Sequence, residues 1–155
     1  MRRVFKRKKG PVTAKKVVHD GVKFASGLEK YMYIVLKKAK IKFEYEGENF
    51  ILLDTFTFER DAFERQNNGK GEYIDRGNKK ILGIRYTPDF VGGDFIIETK
   101  GRANESFPLR WKLFKKHIID TGDNRHLYKP QTNKECDRTV ELILKKQTWD
   151  YLNKE

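Results

Sequence analysis

The chain has 155 residues, 37% of them hydrophobic, with 11 Phe, 7 Tyr and 2 Trp, which suffices to close one modest core. This composition excludes a wholly disordered chain. The single cysteine, Cys136, excludes an intramolecular disulfide and a cysteine-based zinc site in one chain, and we expect it to be a small buried hydrophobe. No stretch approaches the roughly 20 apolar residues of a membrane span, and no apolar run follows the first charges. We therefore expect an intracellular protein without membrane contact.

The formal net charge of +12 is concentrated near the N-terminus. Residues 1–16 hold eight basic residues and no acidic one, so they account for eight of the twelve net charges. We interpret residues 1–20 as a flexible basic arm that binds DNA phosphates. A solvated arm that aids solubility, or a localisation tag, is the alternative. The basic residues are Arg2, Arg3, Lys6, Arg7, Lys8, Lys9, Lys15 and Lys16.

The first predicted elements of the folded part, residues 21–155, are a helix and a strand. Apolar residues recur at helical spacing over 26–40. Ser26 is a good N-cap, and Glu29 three residues later completes a capping box. Over 41–46 apolar and charged residues alternate, which predicts a half-buried strand.

For the middle of the chain, residues 47–100, the sequence predicts strands and an insertion. Residues 50–58 favour a second extended piece. Residues 60–80 are polar and contain turn signals, so we interpret them as a hairpin, a loop or an excursion to a partner within an insertion at about 47–83. The segments 81–91 and 95–100 are predicted strands, joined in a hairpin by the tight turn at 92–94.

Two further helices are predicted, from Pro108 to Asp120 and from Cys136 to Leu152, with a short strand over 125–129 between them. Pro108 suits the first turn of a helix, and Gly122 is the expected stop. The order of elements predicts one compact α/β domain in which helices flank a mixed central sheet.

Three residues carry the strongest chemical signal. Glu98 and Lys100 are two apart in a predicted strand, so their side chains share one face. Asp89, at a Pro-Asp bend, lies within hairpin range of Glu98. Paired carboxylates favour Mg²⁺, and a neighbouring lysine can orient and help deprotonate an attacking water, which suits phosphodiester hydrolysis. A solvent-facing strand edge is the plainer interpretation of the Glu-x-Lys pattern.

Four blocks of sequence resemble the bacteriophage endonuclease I family, Holliday-junction resolvases of the PD-(D/E)XK nuclease superfamily. They span residues 24–46 and 84–103, about a quarter of the chain. The blocks are Ser26-Gly27-Leu28-Glu29, Ile41-Lys42-Phe43-Glu44-Tyr45-Glu46, Tyr86-Thr87-Pro88-Asp89-Phe90 and Ile97-Glu98-Thr99-Lys100-Gly101.

The resemblance implies a restriction-endonuclease-like core and a Mg²⁺- or Mn²⁺-dependent endonuclease of a phage or bacterial cytoplasm. It implies that Asp89 and Glu98 bind the metal, that Glu29 completes the acidic cluster, and that Lys100 serves the nucleophile. Glu44 is expected to assist, although Glu46 is an equally placed competitor.

The resemblance also implies branched DNA as the substrate and a homodimer that exchanges segments. The longer 47–83 segment puts that exchange in doubt, because family members build it at this connection. Basic residues near the site, Arg102 among them, are expected to hold phosphates. A sequence-specific homing or restriction enzyme and a non-catalytic nucleic-acid-binding protein remain the alternatives.

The basic arm generates the first prediction. Deletion of residues 1–16 should flatten the salt dependence of DNA binding, because each lost phosphate contact lowers the number of counterions released. The metal requirement for cleavage should stay unchanged. Affinity measured over a salt series tests this, and an unchanged slope contradicts a role of the arm in binding.

Overall fold

The computed structural model describes residues 15–101 and 106–153, and within these ranges the chain forms three helices and twelve strands. The helices are α1 Gly27–Lys38, α2 Phe107–Asp120 and α3 Asn133–Leu152. The strands are β1 Val17–His19, β2 Val22–Phe24, β3 Glu44–Tyr45, β4 Phe50–Leu53, β5 Phe56–Phe58, β6 Phe63–Glu64, β7 Ile74–Asp75, β8 Lys79–Ile81, β9 Ile84–Tyr86, β10 Phe90–Val91, β11 Phe95–Ile97 and β12 His126–Tyr128. No helix in these ranges has the length and apolarity that a membrane crossing requires.

The predicted helices are confirmed to within a few residues. Helix α1 begins after Ser26, whose side chain accepts a hydrogen bond from the Glu29 N–H, as the capping box predicts. Helix α2 has a proline in its first turn and ends before Gly122, whose φ of +67° is favourable for glycine. Cys136 is buried in α3, and this burial raises the pKa of its thiol to about 12.

A short hairpin precedes α1 and was missed from the sequence. Strand β1 pairs with β2 in antiparallel register, with His19 opposite Val22. Asp20 and Gly21 between them have φ values of 49° and 76°, the left-handed conformation of a two-residue hairpin turn. Val17–His19 thus forms a paired strand within the segment that sequence analysis assigned to the arm.

The main sheet is mixed, and its strands follow the order β12-β11-β10-β3. Strands β3 and β10 are antiparallel, with Phe90 opposite Tyr45. Past the end of β11, Glu98 N–H donates to the Tyr128 carbonyl and Lys100 N–H donates to Pro130, both at 3.0 Å. From the first hydrogen bond to the second, the residue number increases by two on both segments, so the two segments run parallel. A mixed sheet with three helices confirms the predicted α/β class.

The described chain divides into two compact units, each assembled from separate segments. The first contains residues 15–43, 97–101 and 127–153, and the second contains 44–96 and 106–126. In the first unit, α1 contacts α3, and Met32 and Leu36 of α1 are fully buried.

An aromatic cluster forms the core of the second unit. The buried Phe114 of α2 lies 4.5 Å from Tyr86 of β9 and 5.0 Å from Phe50 of β4, measured between ring centroids. Trp111, one turn earlier in α2, is 5.7 Å from Phe114. These contacts attach one end of the 47–83 segment to helix α2.

The predicted insertion is a long, interrupted β-hairpin, one of the three forms expected for it. Strand β4 pairs with β9, β5 with β8, and β6 with β7, all antiparallel and nested within one another. We call residues 50–86 the long hairpin. Gly83 and Gly77 lie where one pair gives way to the next. A Cβ on Gly77 would lie 1.9 Å from the Arg60 carbonyl oxygen, and one on Gly83 would lie 2.4 Å from that of Leu53, so both positions require glycine.

An arginine joins two loops of the second unit. The Arg125 guanidinium donates to both carboxylate oxygens of Glu48, at 2.6 and 2.9 Å, and to both of Asp123, at 2.6 to 3.0 Å. It also lies 5.7 Å from the ring centroid of Phe50. Only 18% of the Arg125 side chain and 15% of the Asp123 side chain are exposed. Removing one partner of such a bidentate, largely buried pair lowers the free energy of unfolding strongly, because the other charge is left buried without its partner.

This cluster generates a pH-dependent prediction. The hydrogen bond from Arg125 lowers the pKa of Asp123 below its ordinary 3.8, so its stabilisation is complete above about pH 4 and is lost as the pH falls through the folded-state value. Asp123→Asn should lower the free energy of unfolding by about 1–3 kcal/mol at pH 7. The difference from wild type should shrink below about pH 4.

Denaturant titrations at pH 7 and in acid measure this. Asp120→Asn is the matched control, because it breaks only an exposed ion pair with Lys116 on α2. Its effect should stay within about 0.5 kcal/mol. Equal effects of the two substitutions contradict a special role of Asp123.

Candidate active site

The candidate site is centred on the residues that follow β11. Glu98 and Lys100 are held by backbone hydrogen bonds to Tyr128 and Pro130 of the neighbouring segment. This ladder keeps the backbone extended, so alternate side chains share one face. The predicted common orientation of Glu98 and Lys100 therefore follows from the backbone. The two accepting carbonyls were missed from the sequence, where strand 125–129 was predicted without its partner.

Glu98 and Lys100 form an ion pair in which the carboxylate is much less accessible than the ammonium. The Lys100 Nζ lies 3.9 Å from Glu98 Oε1, and the exposed fractions of the side chains are 30% and 8%. This distance is longer than a hydrogen bond, so the two groups interact through the attraction of their charges. A carboxylate shielded from water requires a positive neighbour, and Lys100 supplies one.

Residues before and after Glu98 explain its low exposure. Phe95, Ile96 and Ile97 of β11 are fully buried, and Thr99 is buried as well. The charged pair thus directly follows an apolar, buried strand. A solvent-facing strand edge does not describe Glu98, whose exposed fraction is 6%.

Glu29 is held in place by the capping box and is 7% exposed. Its Oε2 accepts from the Ala25 N–H at 2.9 Å, and its Oε1 accepts from the Ser26 hydroxyl at 3.0 Å. These capping hydrogen bonds account for the position of the Glu29 side chain at the start of α1.

Asp89, Glu44 and Glu46 belong to the second unit, whereas Glu29, Glu98 and Lys100 belong to the first. Asp89 is half-buried after the buried Pro88, and its carbonyl accepts from the Glu46 N–H at 2.9 Å. Glu44 and Glu46 are both exposed, so exposure does not separate these two competitors. Among the predicted residues, Glu98 and Lys100 are brought together in an ion pair.

The donor chemistry suits a hard cation bound by few protein ligands. Within residues 15–101 and 106–153, no three or more His, Cys, Asp or Glu side chains form a group that could hold a metal ion. Mg²⁺ commonly binds through one or two carboxylates, with phosphate oxygens and water completing its six ligands. Such a site needs no larger protein group, and the buried Glu98 carboxylate is an appropriate ligand for it.

Most of the predicted DNA-binding residues lie outside the described ranges. Lys15 and Lys16 are described and exposed, and no ion pair involves them within the described part of the chain. Those outside the ranges are Arg2, Arg3, Lys6, Arg7, Lys8, Lys9 and Arg102.

Comparison with known proteins identifies a family without assigning an activity. A model of a family described as protein of unknown function, DUF1064, matches residues 9–131. No match was found among curated proteins or among solved structures. Because the matched segment covers well over half of the 155 residues, the chain belongs to the DUF1064 family.

Proposed function

We propose that the chain is a metal-dependent DNA endonuclease of the PD-(D/E)XK type that hydrolyses phosphodiester bonds. One observation carries this proposal: the buried Glu98 carboxylate lies 3.9 Å from the Lys100 ammonium at the end of an apolar strand. A carboxylate and a lysine on one face of a strand are the groups that a metal-assisted hydrolysis requires. The mixed α/β fold is compatible with this class of enzyme.

In this proposal Glu98 and Asp89 bind Mg²⁺ or Mn²⁺, and Glu29 joins them on the resemblance, although these three side chains form no metal-binding group in the described residues. When bound, the cation would stabilise negative charge on the scissile phosphate and lower the pKa of a water molecule. The inclusion of Asp89 rests on its sequence spacing from Glu98, and that of Glu29 on the resemblance together with its burial. Glu44 is proposed as an assisting residue on the resemblance alone.

The role proposed for Lys100 is to orient the attacking water and promote its deprotonation. Its side chain is partly exposed, and its Nζ lies 3.9 Å from the Glu98 carboxylate. An ammonium in this position donates hydrogen bonds to oxygen atoms on which negative charge develops. Glu98 thus serves twice, as a metal ligand and as the group that positions Lys100.

The site proposal is tested by removing single charges. Glu98→Gln and Asp89→Asn should each lower the rate of plasmid cleavage in Mg²⁺ by about 100-fold or more. DNA affinity should be retained or rise, because a carboxylate that repels phosphate has been removed.

The matched control is Glu141→Gln, which neutralises an exposed glutamate on α3 of the first unit. Cleavage by this control should equal that of wild type. Undiminished cleavage by Glu98→Gln contradicts the assignment. If no DNA is cut by the wild-type protein with Mg²⁺ or Mn²⁺, the chain is a non-catalytic binding protein instead.

We propose branched DNA as the substrate and a homodimer as the active form. The support is the resemblance to junction resolvases, in which two symmetric incisions match two-fold symmetry in the enzyme. A four-way junction should be cut at least about 10-fold faster than linear duplex of the same sequence, a difference of about 1.4 kcal/mol in activation free energy. Cleavage that follows one base sequence in linear duplex contradicts the branched substrate, and sedimentation of a monomer at micromolar concentration contradicts the dimer.

A further inference from the structure

Two aromatic rings lie exposed near the end of the long hairpin. The exposed fractions of Phe63 on β6 and Tyr73 just before β7 are 59% and 64%. Their ring centroids are 6.3 Å apart with an interplanar angle of 39°. Phe63 is opposite Asp75, so Tyr73, two residues before Asp75, is its diagonal neighbour on the same face. We call Phe63 and Tyr73 the aromatic pair.

Hydrogen bonds fix the backbone on both sides of the aromatic pair. The Gly69 N–H donates to the Gln66 carbonyl at 2.8 Å and closes a turn at the tip. One carboxylate oxygen of Asp75 accepts from the Ala62 N–H at 2.9 Å and from the Gly77 N–H at 2.8 Å. The two rings are therefore presented by a defined frame rather than by an unstructured loop.

The acidic residues of this part of the hairpin are mostly engaged in local contacts. Asp75 bonds the backbone, and Asp61 accepts a hydrogen bond from the Asn78 side chain at 3.3 Å. Glu64 forms an ion pair with Lys79 at 3.2 Å. Their negative charges are thus partly offset by neighbouring donors.

The basic residues nearest the tip form no ion pair with any residue that the structure describes. Within the described part of the chain, Arg65, Lys70 and Arg76 make no ion pair, and the Arg76 Nε donates only to a backbone carbonyl. The formal negative charge of Glu72 cancels one of these three positive charges in the net charge of the hairpin tip. Residues 60–80 hold six basic and four acidic side chains, so the surface around the aromatic pair is net positive.

We propose that the aromatic pair stacks on a base that is unpaired or unstacked in the bound DNA, while Arg65 and Lys70 bind the flanking phosphates. The pairing of exposed rings with positive charge is how proteins bind single-stranded nucleic acid. Bases inside a continuous duplex are already stacked and offer no free face. The aromatic pair therefore selects DNA with a break in its stacking. This inference rests on the proposed function in one respect, namely that DNA is the substrate.

A second copy of the chain is the less favoured occupant of this surface. Two-fold symmetry would bring the same positive side chains toward one another, which opposes association. Two rings also supply far less area than the roughly 800 Å² per partner of a standard protein interface. A polyanion satisfies the charges and the rings together.

The test uses the full-length protein in EDTA, so that binding is measured without cleavage. The probes are a duplex with 2-aminopurine at one unpaired position and a continuous duplex of matched sequence. Wild-type protein should quench 2-aminopurine fluorescence in the first probe by stacking. Phe63→Ala with Tyr73→Ala should abolish this quenching and weaken binding to that probe by between about 5-fold and about 100-fold. Its affinity for the continuous duplex should stay the same.

Three further variants make the test specific. Leu82→Ala is the matched control, because Leu82 is 75% exposed on the same hairpin and should leave binding and quenching unchanged. Phe63→Trp with Tyr73→Phe keeps two rings and should retain quenching. Arg65→Gln with Lys70→Gln should weaken binding to both probes and reduce the salt slope by about 0.9 for each lost phosphate contact.

Undiminished quenching and affinity in the double alanine variant overturn the proposal, as does an equal loss of affinity for both probes. Sedimentation decides the remaining alternative: if the double alanine substitution converts a dimer to a monomer, the surface binds a second copy instead. Quenching in EDTA does not depend on catalysis. Loss of quenching in the double alanine variant therefore supports this inference even if no DNA is cleaved in Mg²⁺.

Discussion

The placement of a buried carboxylate directly after an apolar strand is the constraint on which the candidate site depends. Strand β11 is buried throughout, and the polar residues Glu98 and Thr99 that follow it are buried too. Shielding an ionised carboxylate from water costs several kcal/mol unless a positive group compensates. The parallel hydrogen bonds to Tyr128 and Pro130 place Lys100 where it can do so. The burial of Glu98 and the position of Lys100 are therefore linked, because the charge of one compensates that of the other.

Local signals allowed the sequence to predict the helices and the capping box. Ser26 and Glu29 are three residues apart, so their mutual hydrogen bonds depend on no distant contact. Strand 41–46 is reduced to Glu44–Tyr45, although its alternation of burial is observed. Its ends are set by Lys40 and Glu46, whose φ values of 56° and 51° leave the extended region. Nothing in those two residue types signals a left-handed backbone.

Other features depend on approaches between distant segments. Gly77 and Gly83 lie at the interruptions of the long hairpin. Each position requires glycine because a carbonyl distant in the sequence lies close to it, that of Arg60 beside Gly77 and that of Leu53 beside Gly83. The sequence predicted that the side chains of Glu98 and Lys100 share one face. The burial of Glu98, however, depends on where β11 lies in the sheet. The pairing of Phe63 with Tyr73 is likewise a matter of register between β6 and β7, which composition does not reveal.

Under the proposed function, the groups that cut and the groups that bind DNA have opposing electrostatic requirements. Glu98 and the other candidate carboxylates repel phosphate until a cation neutralises them, so they oppose binding by themselves. Affinity must then come from surfaces with positive charge, such as the basic N-terminal residues and the tip of the long hairpin. At the hairpin tip most of the acidic side chains are engaged in local contacts, such as the ion pair of Glu64 with Lys79. Under the proposed function, the remaining positive charges interact with DNA phosphates. Binding and cleavage are therefore expected to be separable by substitution, because different residues carry them.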